Sequence, residues 1–236
     1  MKKIVLIAAM AAMALGVSAQ DEVEATVSAD VVSNYIWRGV KLDDAAVQPT
    51  LGVTYKGLSL TAWGSYGLTT SGITKEFDLI LAYSTGGFNI GITDYYVVGS
   101  DAPKYFLYDA DKTAHVFEAN LGYDFGVLSV NWFTNFAGAD ARTEEGKRAY
   151  TSYVELNAPF KLGGLDWNAT LGAVPYSACN GFYAANAKDF AVTNLSLKAT
   201  KDLKITDTFS VPIFAQIATN PSIQKAYLLF GFTLQP

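Results

Sequence analysis

The sequence predicts an all-β fold: a transmembrane, antiparallel, up-and-down β-barrel, of twelve strands, with both termini on the periplasmic side. Three observations carry that expectation. Twelve stretches of about the length a tilted strand needs to cross a bilayer alternate with period two. The gaps between them alternate short and long. The alternation sets apolar residues against Ser, Thr, Asn, Gly and Gln rather than against Lys and Glu, in a chain only 17% charged.

Lys2 and Lys3 precede an apolar run, Ile4 to Leu15, and "GVSAQ" places Val17 and Ala19 at the small-residue positions of a signal-peptidase site. Residues 1–19 are therefore read as a cleaved signal peptide and 20–236 as the barrel. A buried N-terminal helix is the alternative, but the charge–apolar–small order favours export. The run is too short to span a membrane as a helix, which takes roughly 20 residues. No Cys follows it to carry a lipid anchor. Losing Lys2 and Lys3 takes the net charge from −5 to −7, which argues against nucleic acid as a partner. Cys179 is the single cysteine, so no intramolecular disulfide forms.

The stretches are 23–37, 45–56, 58–67, 75–85, 87–97, 113–124, 127–137, 148–158, 164–174, 189–200, 204–218 and 223–234. Short connections are "KG" (56–57), "TGG" (85–87), "DFG" (124–126), "FKLGG" (160–164) and "TKDL" (200–203). Long ones occupy 38–44, 67–73, 100–112, 138–147 and 176–188. Outer-membrane barrels pair short periplasmic turns with longer extracellular loops, an alternation that a soluble sandwich has no reason to show. Only the last hairpin, "TNPS" (219–222), departs from it.

Within 58–67, Leu58, Leu60, Ala62, Gly64 and Tyr66 share one face; Ser59, Thr61, Trp63, Ser65 and Gly67 share the other. Leu165, Trp167, Ala169 and Leu171 likewise oppose Asp166, Asn168, Thr170 and Gly172, and Leu228, Phe230, Phe232 and Leu234 oppose Tyr227, Leu229, Gly231 and Thr233. With lipid outside and a hydrated lumen inside, the first set in each case faces out. Aromatics at the stretch ends are read as two interfacial girdles: Tyr35, Trp37, Tyr66, Tyr83, Phe88, Tyr95, Tyr96, Phe125, Phe136, Tyr150, Phe160 and Phe182. In 23–37 this parity makes Tyr35 and Trp37 outward anchors and Arg38–Gly39 the exit from the membrane. It also turns Val32 and Ile36 inward, apolar residues on the polar face. The closing "AYLLFGFTLQP" is the alternating, aromatic-rich last strand that barrel-assembly machinery recognises.

By the same parity the lumen displays Glu24, Asp30, Glu76, Asp78, Glu118, Glu155 and Asp166 against Arg38 and Lys198. This excess of acids favours cations if the bore is open; alternatively these groups pair across strands and fill it. The loop 98–112 folds inward as a constriction, with Asp101, Lys104, Tyr105 and Tyr108 lining it, or stays outside.

The segment "SADVVSNYIWRGVKLDDAAVQPTLGVTYKGLSLTAWGS" resembles the TorF-like porin family, also known as Gcw_chp, through Ser33, Tyr35, Trp37, Arg38, Gly39, Asp43, Ala46, Val47 and Gln48. "EFDLILAYS" (76–84) and "ITDYYVVGSD" (92–101) are similar to later family segments. The resemblance implies an outer-membrane barrel with channel activity, no assigned substrate and no catalytic residues.

Three function classes remain at this point: a channel for passive diffusion of small solutes or ions, a closed structural, adhesive or ligand-binding barrel, and an outer-membrane phospholipase. The last is disfavoured, because His115 is the one histidine, position 117 is Phe and Ser152 lies two strands away. With no metal, phosphate-loop or nucleophile-elbow motif, no enzyme activity and no cofactor are expected. The expected partners are outer-membrane lipid, the barrel-assembly machinery during biogenesis and the solutes themselves. The oligomeric state is left open.

Overall fold

The computed structural model describes residues 23–69, 75–98, 104–110, 112–176, 183 and 189–236. The signal segment, Cys179, Phe182 and Asp101 lie outside the described residues. Fourteen strands run in chain order: β1 (Val23–Val32), β2 (Tyr35–Trp37), β3 (Val40–Asp43), β4 (Ala46–Tyr55), β5 (Leu58–Gly67), β6 (Lys75–Thr85), β7 (Phe88–Val98), β8 (His115–Asp124), β9 (Ser129–Gly138), β10 (Ser152–Leu162), β11 (Leu165–Val174), β12 (Ala191–Lys204), β13 (Ser210–Asn220) and β14 (Lys225–Leu234). Twelve of them form a closed antiparallel barrel in which β4 to β14 pair in sequence and β1 closes the ring between β14 and β4. The other two, β2 and β3, form a separate hairpin.

Closure leaves no free sheet edge, and the outer wall shows why that matters. Leu58, Leu60, Leu81, Ile90, Leu121, Leu195, Ile217, Leu228 and Phe230 are all exposed on the exterior. In water such a band is a liability; against hydrocarbon it is the stable arrangement, provided every backbone group is paired within the wall. No helix among the described residues is long and apolar enough to cross a membrane; strands make the wall. At the short-turn end Phe88 packs on Tyr123 at 4.9 Å and Phe160 stacks on Trp167 at 6.0 Å.

The structure corrects the strand boundaries at three places. The "FKLGG" connection is mostly strand: β10 starts at Ser152 and runs to Leu162, which pairs with Leu165 around Gly163–Gly164. The stretch read as one wall strand, 23–37, leaves the wall after Val32, and residues 35–43 turn back on themselves as β2 and β3. The "TKDL" segment is no turn either: β12 runs on to Lys204 and pairs as far as Lys204–Ser210, so the turn falls at 205–209. A Thr/Lys-rich stretch has no Gly or Asn to force a reversal, and strand pairing overrides its polar composition.

The β1–β14 seam is short, with four residue pairs from Ala29–Leu234 to Val32–Gly231. Beyond it, one more backbone bond and two side chains extend the ladder that the departing strand leaves. The Ser33 amide donates to Phe230 O at 2.9 Å, the Phe230 amide donates to Ser33 Oγ at 3.0 Å, and Asn34 Nδ2 donates to Leu228 O at 3.4 Å. Backbone groups in a wall must find partners somewhere, and Ser and Asn supply them where the chain turns inward.

Candidate functional site

The site is the lumen and the β2–β3 hairpin that enters it. Trp37 pairs with Val40 around the two-residue turn Arg38–Gly39, and both turn residues have positive φ, 49° and 81°. That is the geometry of the tight hairpin turns that match strand twist. Gly39 is required for space as well. A Cβ there would lie 1.9 Å from the Thr193 carbonyl oxygen, so the hairpin tip touches the backbone of β12 across the bore. At the base of the hairpin the Asp43 carboxylate occupies the room left by Gly67, where a Cβ would meet Oδ2 at 2.3 Å.

Arg38 is the anchor. Its guanidinium grips Glu118 of β8 with two hydrogen bonds, Nη1 to Oε2 at 2.6 Å and Nη2 to Oε1 at 2.9 Å, and both side chains are buried. Glu118 also accepts from Tyr95 Oη at 2.9 Å, and Arg38 Nη1 donates to Tyr183 Oη at 2.7 Å. Aromatic rings enclose the cation: Phe133 at 4.0 Å from Cζ, Trp37 at 4.6 Å and Tyr153 at 4.7 Å. A bidentate Arg–carboxylate pair of this kind holds direction as well as charge. Within the hairpin, Tyr35 Oη donates to Glu76 of β6 at 2.9 Å and its ring meets Trp63 at 5.7 Å. Val32 and Ile36 pack with Tyr35, Phe214 and Leu229 in an apolar cluster inside the barrel.

Tyr35, Trp37 and Tyr95 are thus not girdle residues. Tyr35 is buried in the lumen, Trp37 stacks on Tyr183 at 5.5 Å, and Tyr95 faces Glu118. The parity argument fails for the first two because the chain bends at Ser33, and for Tyr95 because aromatic rings also serve as donors to lumen acids.

The remaining charged positions fall at different depths. Asp78, buried on β6, receives the Tyr96 amide at 3.4 Å. Glu155 accepts from Tyr153 Oη at 2.9 Å and Asn157 Nδ2 at 2.8 Å. Asp30 accepts from Thr233 at 2.6 Å. Lys198 lies over the Phe214 ring, Nζ 4.0 Å from its centroid. Asp166 pairs with Lys161 at 2.9 Å at the exposed short-turn rim, and Glu24 is exposed at the same end of β1. The structure therefore joins Arg38 to Glu118, ties Glu155 to that pair through Tyr153, and sets Asp30 near Lys198, while Glu24 and Asp166 stand apart.

Burial changes along the bore. Toward the long loops the inward side chains Gln48, Ser65, Glu76, Glu118, Asn135 and Asn194 are buried. Toward the short turns Asn89, Asn120, Asn157, Asn168 and Thr170 are half-exposed, and Ser84 is open. Several of these amides bond one another, Asn120 to Asn89 at 3.1 Å and Asn168 to Asn157 at 3.1 Å. The lumen is filled at one end by the hairpin and polar and accessible at the other.

Of the two positions open to the loop before β8, its described part takes the outer one. Tyr105 and Tyr108 cover His115 on the exterior, with ring centroids 5.0 and 4.4 Å away. Burial, with Tyr108 beside it, pushes the Tyr105 phenol up to about 12. His115 Nδ1 meets Asp94 at 2.7 Å and Nε2 meets the Tyr105 carbonyl at 2.6 Å. Both ring nitrogens face acceptors. Ser152 bonds instead to Thr134, Tyr176 and the Tyr150 carbonyl.

Sequence reasoning missed the ring of Trp37, Phe133, Tyr153 and Tyr183 around Arg38. Three signals pointed to it: the Arg–Gly turn dipeptide, the polar break Ser33–Asn34, and the inward Val32 and Ile36 that the wall reading left unexplained.

Among solved structures the chain is similar to the Salmonella typhi outer membrane phospholipase (OMPLA) dimer with bound calcium, at 10% identity over 96% of each chain and a TM-score of 0.42. It is also similar to Salmonella typhi OmpF in complex with daunomycin (10% identity, 92% of this chain, 98% of that one, TM-score 0.38) and to a mutant Rh. blastica porin (11%, 91%, 100%, 0.38). No curated protein matches the chain. The family to which its residues 17–214 match is described as bacterial protein of unknown function, and the chain belongs to that family, Gcw_chp.

Proposed function

We propose that the protein is an outer-membrane channel for passive diffusion of small solutes or ions, with the β2–β3 hairpin as its constriction. The observation that carries this reading is the burial gradient of the lumen: a polar, accessible bore below a hairpin anchored on the far wall through Arg38 and Glu118. A barrel that served only as a wall gains nothing from a lining of half-exposed amides. The contact between hairpin and wall is also imperfectly satisfied. Thr193 Oγ1 and Asn194 Oδ1, at the two residues that meet the hairpin tip, are buried without a partner among the described residues. Groups of that kind are costly in a sealed core and favour a seam that admits water. The TorF-like resemblance of the opening segment agrees with a porin role.

Acids exceed bases along the wall, and Arg38 neutralises only Glu118, so the channel favours cations. This reading places the protein in the outer membrane, delivered by a cleaved signal and inserted by barrel-assembly machinery, and makes it a conduit and not an enzyme. Lipid hydrolysis that is lost on His115→Ala would refute that last point.

A closed structural barrel is the second reading, favoured by the same hairpin, which fills the long-loop half of the bore. Planar-bilayer recording separates the two. The native protein is expected to give small, cation-favouring conductance, and a variant with residues 34–44 replaced by a short Gly/Ser link a several-fold larger one. Silence from both proteins supports the closed barrel; an anion-favouring reversal potential overturns the charge argument.

A further inference from the structure

We propose that the cavity between the hairpin and the β12–β14 wall binds a small zwitterion of the α-amino-acid class, its carboxylate on Lys198 and its ammonium on Asp30. The cavity measures about 150 Å³, and its polar lining is Asp30, Asn34, Gln48, Lys198 and Gln216. It has space for several waters or one small solute.

The groups around it are incompletely used. The Lys198 ammonium lies over Phe214 and makes no hydrogen bond or ion pair with the described residues. Asp30 Oδ1 is held by Thr233, which leaves Oδ2 for another donor. Asp30 acts electrostatically on Lys198, yet the two are not in ion-pair contact. Both line the same cavity, so opposite charges share one small space without meeting.

A half-buried ammonium and carboxylate that do not meet each lack part of their solvation. A ligand carrying both charges supplies the missing partner to each at once and leaves the net charge of the bore unchanged. An inorganic anion would satisfy Lys198 and be repelled by Asp30; a simple amine would do the reverse. The amides of Gln48 and Gln216 add neutral donors and acceptors: Gln48 makes one long bond, 3.4 Å to Ser65, and no bond to a described residue occupies Gln216. Val32, Ile36 and Leu229 form an apolar wall suited to a short aliphatic side chain.

Binding is measured on the full chain folded in detergent micelles, so this proposal stands or falls independently of conductance. Isothermal titration with glycine, acetate and methylammonium is expected to rank glycine about tenfold or more above the other two, or 1.4 kcal/mol per tenfold step. Lys198→Gln should remove glycine binding. Asp30→Asn should lower glycine to the affinity of acetate while leaving acetate itself bound. Circular dichroism confirms that each variant retains its barrel. Equal affinities for glycine and acetate in the native protein, unchanged glycine binding in Lys198→Gln, or no heat from any probe with the folded protein would each overturn the proposal.

Discussion

Arg38 occupies a backbone region that non-glycine residues seldom adopt, and what holds it there is the pair with Glu118. Removing one partner of a buried ion pair leaves the other charged and unmatched, which costs about 3–5 kcal/mol; replacing both with apolar groups is often neutral. Arg38→Met is therefore expected to lower the urea midpoint of the folded barrel markedly, and Arg38→Met/Glu118→Leu to recover most of the loss. If the double variant is no more stable than the single one, the pair is not what sets the stability at this point. Parity in the sequence put both residues on the lumen side and gave Arg38 a role at the mouth of the bore. It did not choose Glu118 among the inward acids, because that choice depends on how far a hairpin reaches across the barrel and not on spacing along the chain.

At the scale of elements, the nine wall strands β4 to β11 and β14 were legible to within about four residues, because an apolar exterior and a polar bore impose period two on every one of them. The hairpin was not legible. Its own residues alternate as a wall strand would, and only the turn dipeptide and a polar break betray the bend. Gly39→Ala tests the docking of this element. A Cβ cannot share space with the Thr193 carbonyl, so the hairpin tip must withdraw from β12. Amide hydrogen exchange at Trp37 and Val40 should then quicken several-fold while the wall strands keep their protection. Equal exchange in variant and native protein would mean that the tip has room the structure does not show.

Over the whole molecule, the two faces of the wall answer to different solvents and should respond oppositely to charge. Phe230→Arg places a cation on the exposed apolar exterior of β14 and should cost about 2–4 kcal/mol in lipid if that residue sits near the bilayer midplane. Ser84→Asp, on the open polar face of β6, should be tolerated within about 1 kcal/mol while strengthening cation preference. Equilibrium unfolding in lipid vesicles measures both, and equal costs would remove the case for lipid outside and water inside. The alternation of loop lengths makes this overall plan readable in the sequence. Two folded-back segments, the hairpin inside and Tyr105–Tyr108 outside, were not, since nothing in a loop's length says which way it lies. The four-pair β1–β14 seam carries a consequence for biogenesis. The residues that close the cylinder, Ala29–Val32, run directly into those that fill it. Pairing β1 with β14 therefore carries the hairpin to the bore in the same step, so closing the cylinder and filling it are a single event.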